Sequence, residues 1–159
     1  MSNGVFNIAR GRVNEYVSRV NGNDPANSAI IAILLKVTEA DAALMDHEEI
    51  DALLTAAGNT EADFASYARI VLSDTDVSEP APDHTNNWQA SDLDADPTWA
   101  NATTGQNIVR LIFAYDDDTT GGDDTNLIPL TYHDFVATTD GNDLVAQINV
   151  AGWYRAASA

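Results

Sequence analysis

The apolar positions of this chain change their spacing twice along its length. From Phe6 to Val20 they recur at three- and four-residue intervals (Phe6, Ala9, Val13, Tyr16, Val17 and Val20), which predicts one face of an amphipathic helix. Arg10, Arg12, Glu15 and Arg19 fall largely on the other side, and Asn21-Gly22-Asn23 supplies a helix stop. Asp24-Pro25 opens a turn. Ser28 to Val37 is then a nearly unbroken run of β-branched residues and leucine, whose length and isoleucine content predict a buried strand. Pattern alone leaves a buried helix open there. Glu48 to Ala57 returns to helical spacing, with Ile50, Leu53 and Leu54 on one side and Gly58-Asn59 as the stop. Thr60-Glu61-Ala62-Asp63 reads as a further helix start, with the hydroxyl as N-cap and acids in the first turn.

After Phe64 the pattern becomes extended. Tyr67 to Leu72 reads as a strand, SEPAPDHTNN as a loop, and Trp88 to Leu93 and Pro97 to Ala102 as short extended segments. Asn107 to Tyr115 is the strongest strand in the chain. Leu127 to Ala137 and Leu144 to Trp153 alternate apolar and polar residues as half-buried strands do, and the TTDGND between them carries the Asp-Gly of a tight turn. The expected fold is α+β: an antiparallel β-sandwich or barrel-like domain preceded by an N-terminal helix and short helices. Residues 1–159 form a single domain in this reading. Its first part, 1–65, is helix-rich with one buried strand, and 66–159 is mainly antiparallel β.

Composition narrows the function more than the fold. Of 159 residues, 25 are Asp or Glu and seven are Lys or Arg, a net charge of −18 with Lys36 the lone lysine. A phosphate backbone needs cations to displace its counterions, so nucleic acid is excluded as a partner, and an anionic membrane with it. Cysteine is absent, which removes disulfides and thiolate zinc sites. The N-terminus, MSNGVFNIARGRVNEY, lacks the continuous apolar core of a signal peptide, and the longest apolar run, residues 29–35, is too short to span a bilayer. The expectation is a soluble protein made in a cytoplasm.

Candidate chemistry is sparse. YDDDTTGGDDTN, residues 115–126, concentrates Asp116, Asp117, Asp118, Asp123 and Asp124 around a Gly-Gly pair. Calcium loops of the EF-hand type space their oxygen ligands alternately and end on a bidentate Glu, whereas here three aspartates are consecutive and no such Glu follows. The loop reads as a solvated turn, with a looser calcium site as the alternative and no metal expected. His47, His84 and His133 lack the HxxxH or HxH spacing of a zinc site, and no GxSxG elbow supports a triad built on His133. No enzymatic activity and no cofactor are expected. Three of the six arginines lie in the first helix, so Arg10, Arg12 and Arg19, with the apolar residues Val13, Tyr16 and Val17, are the candidate contact surface for a partner chain. The plainer alternative is a docking helix whose arginines face water or neighbouring carboxylates.

The segments NDPANSAIIAILLKV, YARIVL, DHTNNWQASDLDADPTWANA, LIFAYDDDTTGGDDTNLIPLTYHDF and TTDGNDLVAQINVAGWYRAA resemble, in sequence and order, those of small structural proteins of tailed bacteriophages. The resemblance runs from the first helix to Arg155. It implies a virion component, a capsid decoration or minor capsid protein on the outside of an assembled head, made in the host cytoplasm. Its implied partners are the major capsid protein and copies of itself, as a trimer through the helix's apolar side or an exposed sheet edge. A head–tail or tail component, or a calcium- or ligand-binding β-domain, is the alternative. No catalytic residues come with the resemblance.

Overall fold

Nine residues, Ala29–Val37, form β2 at the centre of the largest sheet, and the first seven of them are all buried. Their unbroken apolar run has a physical cause: β2 is covered on both faces, so alternation would leave polar side chains in a core. The computed structural model describes residues 2–157. Along them lie β1 (Gly4–Val5), a 3-10 turn (Asn7–Ala9), α1 (Val13–Asn21), β2, α2 (Asp41–Leu44), α3 (Ile50–Thr55), β3 (Thr60–Glu61), β4 (Ile70–Leu72) and β5 (Val77–Ser78). They continue with β6 (Trp88–Leu93), β7 (Thr98–Trp99), β8 (Asn107–Asp116), β9 (Ile128–Thr138), β10 (Leu144–Val145) and β11 (Tyr154–Ala157).

The large sheet runs β1-β9-β8-β2-β3, with β4 also paired to β2, and its pairings are antiparallel. Two smaller sheets, β11-β6-β5 and β10-β7, complete the β structure. The fold is α+β and sheet-rich. No closed barrel forms among the described residues, because β1 and β3 end the large sheet on opposite sides.

Each face of the large sheet has its own core. On one face Ile30, Ala32, Leu34, Leu111, Phe113 and Tyr115 meet Val13, Tyr16, Val17 and Val20 of α1, together with Leu93, Trp99 and Trp153 from the small sheets and their flanks. On the other, Ile31, Ile33, Leu35, Ile112 and Tyr132 meet Phe6, Leu44 of α2, and Ile50 and Leu53 of α3. Burying each large apolar side chain contributes roughly 1.5–3 kcal/mol, so both layers stabilise the sheet they share.

Several expected elements differ. The helix expected from Phe6 to Val20 is broken at Gly11, whose φ of +76° cannot continue it, and α1 begins only at Val13. Phe6 and Val13 consequently lie on opposite faces of the sheet, with the chain crossing its edge between them. Arg10 and Arg12 precede the helix. Thr60-Glu61 begins no helix; it pairs with Leu35 and Val37 as β3, and the Ala62 N–H donates to the Leu34 carbonyl. Its acids are engaged elsewhere, Glu61 by Arg69 and Asp63 by Lys36.

The expected strand from Leu144 to Trp153 is divided. Leu144–Val145 pairs with β7, and the Ala146 N–H continues to the Pro97 carbonyl. Gly152 then turns at φ +93°, where an added Cβ would lie 2.5 Å from the Ser91 carbonyl oxygen. The alternation was a true burial signal nonetheless: Leu144, Ala146 and Ile148 all contribute to one core. The Asp140-Gly141 turn is present, but it delivers the chain to β7 and not back along β9.

Candidate functional site

Three places in the structure carry enough chemistry to consider. The first is the N-terminal arginine group. Arg10, Arg12 and Arg19 are exposed, whereas Val13 and Val17 are fully buried and Tyr16 is 4% exposed. The proposed apolar contact face of α1 is therefore corrected: it is used within the protein's own core, and no partner reaches it without unfolding that layer. Arg12 and Arg19 both pair with Glu15, at 3.4 and 2.9 Å, and the Arg12 guanidinium lies over the Tyr16 ring. Among the described residues the one side-chain hydrogen bond of Arg10 is to the Met45 sulfur, at 3.7 Å. The helix is a docking helix with a few cations left at its surface.

The second is the aspartate loop between β8 and β9. Here the acids serve the loop itself. The Asp118 carboxylate accepts the Thr120 N–H at 3.0 Å and its hydroxyl at 2.6 Å, which holds its pKa below the usual carboxylate value. Asp123 caps Thr125 in the same way. Asp124 receives both Nη groups of Arg69, which Glu61 also binds, so the loop is pinned to β3 and the start of β4. That guanidinium lowers the Asp124 pKa. Asp116, the last residue of β8, is only 5% exposed, accepts the Asp118 N–H at 3.0 Å, and has its pKa raised by burial. Among the described residues no group of three or more His, Asp or Glu side chains is placed to hold a metal ion.

The third is a cavity of about 280 Å³ between the β8–β9 pair and the segment 146–153. Strand alternation points His133 and Phe135 into the α1-side core, while Tyr132 packs against the other core and Asp134 reaches Arg110. Leu111 and Phe113 of β8 form the floor. Trp153 closes one wall, its ring 4.6 Å from that of Phe113 and 6.4 Å from the His133 ring. It is seated there by its N–H bond to the Ser91 carbonyl, directly after the Gly152 turn. Asn3, Gln147 and Asn149 border the opening.

Within the cavity His133 accepts or donates one hydrogen bond, Nε2 to Thr131 Oγ1 at 2.9 Å. Burial lowers its pKa to about 4, with a smaller contribution from the Arg110 charge, so the ring is neutral at physiological pH. Among the described residues the indole Nε1 of Trp153 has no acceptor, and it is sealed from solvent. The other two histidines lie apart from it. His47 binds Glu39, which also receives the Asn59 amide, and His84 is exposed in the proline-rich loop.

No family model, curated protein or solved structure matches this chain. The chemistry of the three places must stand alone. In the sequence His133 was a lone histidine, and its parity with Phe135 was the one legible hint of an apolar setting. Trp153 arrives from a segment twenty residues further on, by way of a turn, and no local pattern announces that meeting.

Proposed function

We propose that this chain is a non-enzymatic virion structural protein that decorates the outside of an assembled phage head and stabilises it. The observation that supports this reading is where the phage-like segments fall. Residues 23–37, 67–72 and 111–135 supply β2, β4 and most of β8 and β9, which are neighbours in one sheet. Residues 83–102 and 138–157 supply β6, β7, β10 and β11, which pair with one another. The resemblance thus lies in segments remote in sequence that pack as one framework, and not in scattered surface patches. The framework is complete in one chain, with both sheet faces covered from within.

Attachment then rests on peripheral features. β9 is paired with β1 only at Thr131 and Tyr132, so its last residues lie at a sheet edge, where Val136 is 76% exposed. Arg10, Arg12 and Arg19 lie at the surface as the cations nearest one another in sequence, able to meet carboxylates of a capsid subunit. Many weak copies on a repeating lattice add up to firm binding, and the −18 charge keeps free copies dispersed until that lattice exists. Each bound copy stabilises the assembled shell by mass action and leaves unassembled subunits unaffected. The major capsid protein is the partner, and self-association as a trimer would use the sheet edge, since the apolar side of α1 is occupied.

The test is deletion of the gene from the phage that carries it, with a mass-spectrometric count of the protein in wild-type particles. The expected result is many copies per wild-type particle, and DNA-filled mutant heads that break at lower temperature or under milder osmotic shock. A deletion that yields no heads, or filled heads without tails, overturns decoration in favour of a core or connector role.

A further inference from the structure

The cavity beside His133 has a hydrogen-bonding imbalance that identifies what would fill it. Thr131 is 1% exposed, and its hydroxyl has one partner among the described residues, His133 Nε2. A buried hydroxyl must place its hydrogen on an acceptor, and a neutral imidazole offers one nitrogen as acceptor and the other as donor. Hydrogen-bond accounting therefore assigns the Thr131 hydroxyl as donor to Nε2 and puts the ring proton on Nδ1. Nδ1–H has no acceptor within the described protein. The indole N–H of Trp153 has no acceptor there either, but its nitrogen is sealed from solvent and is not open to the cavity. At the rim, Asn149 uses its carbonyl oxygen to cap the Ala151 N–H and Asn3 uses its own to accept the Asp134 N–H, so both leave their amide nitrogens unused. The Gln147 side chain makes no hydrogen bond within the described protein.

The lining is thus an apolar aromatic floor bordered by uncharged N–H donors and by one carboxylate, Asp134, whose Oδ1 already accepts from Arg110. A fitting ligand carries several acceptor oxygens and an apolar face. Carboxylates and phosphates are rich in acceptors, but the −18 field of the body and the absence of a cation from the lining disfavour them. Binding sites for drug-sized molecules begin at about 300 Å³, so a cavity of about 280 Å³ takes one ring and not a chain of them.

We propose that this cavity binds a neutral single-ring polyol, a pyranose sugar, whose oxygens accept from His133 Nδ1 and the rim amides while its apolar face rests on Phe113 and Trp153. The site is independent of the decoration reading and holds for the isolated protein. Heteronuclear NMR of the labelled full chain, titrated with glucose, galactose, mannose or N-acetylglucosamine to about 100 mM, tests it in the millimolar range expected of so small a ligand. The expected result is saturable shifts of the Trp153 indole, His133 and Gln147 resonances with at least one of these sugars. Gln147→Ala should weaken binding about threefold to tenfold, the loss of one hydrogen bond. His133→Phe should abolish it while the melting curve shows a folded protein, and Gln147→Trp, at the exposed rim, should block entry without touching the core. Shifts absent with every sugar, unchanged in both His133→Phe and Gln147→Trp, or equally strong with glucuronate, overturn the proposal.

Discussion

Among the described residues Arg110 is the only charged residue buried completely, and the sequence places it in the middle of the strongest apolar strand. Its two Nη groups donate to the Ser2 carbonyl at 2.7 Å, Asp134 at 2.8 Å and Asp41 at 2.6 Å, and its guanidinium lies over the Tyr132 ring. One side chain therefore ties the N-terminal segment, α2 and β9 together. Asp41 in turn accepts from Ser2 and from Arg110, which lowers its pKa. Arg110→Met should cost on the order of 3 kcal/mol in urea unfolding, because it strands the two carboxylates and releases the segment before β1. A loss below about 0.5 kcal/mol would show that the network contributes little.

His133 gives stability a pH dependence of definite sign. The unfolded imidazole takes up a proton near pH 6.5, while the folded one resists until about pH 4. Between these values the unfolded state binds more protons, so stability is full above pH 6.5 and falls as pH drops towards 4, by up to roughly 3 kcal/mol. Urea midpoints measured at pH 7 and pH 4.5 should differ accordingly, and His133→Phe should flatten that part of the profile. An unchanged slope in the variant would place the titrating group elsewhere.

At the scale of elements, α1 is anchored by its apolar side and indifferent to its charged one. Val17→Ala should destabilise by about 2 kcal/mol, since the methyls removed leave a gap against the first core. Arg12→Ala with Arg19→Ala should leave the unfolding midpoint nearly in place, because both arginines meet Glu15 at the half-exposed surface of the helix. The reverse ranking would mean that α1 is held by its charges. The β8–β9 loop is held by its own caps and by Arg69. Melting in millimolar calcium should match melting in chelator within a few degrees; a large rise abolished by Asp116→Ala with Asp118→Ala would make the loop a calcium site.

For the whole molecule the dominant long-range force is self-repulsion. Five of the cations, Arg12, Arg19, Lys36, Arg69 and Arg110, are already paired with carboxylates, and most of the 25 acids have no cationic partner. Salt shortens the reach of this repulsion from about 10 Å at 0.1 M to about 3 Å at 1 M. The melting temperature should rise by roughly 5 °C over that range of KCl, equivalent to a gain of about 1–2 kcal/mol for a domain of this size. A flat or falling curve would show that the surface acids are spaced too widely to repel. No helix among the described residues is long and apolar enough to cross a membrane.

Local pattern was enough for whatever depends on near neighbours in the chain. The run of Ala29 to Val37 announced a strand without a wet face, Trp88–Leu93 and Asn107–Tyr115 were legible as strands, and the Ile50–Leu53 spacing announced α3, because burial on a strand or helix repeats with a fixed period. Tertiary packing settled what depends on distant segments. The Phe6-to-Val20 spacing looked like one helix because apolar periodicity does not reveal which core each residue enters, and Gly11 divides that stretch between two faces of the sheet. Thr60-Glu61 had every local mark of a helix start, yet the unpaired edge of β2 and the charges of Arg69 and Lys36 held it extended. The cavity at His133 needed β8, β9 and Trp153 from three separate stretches, and its aromatic walls meet only once those stretches have packed together.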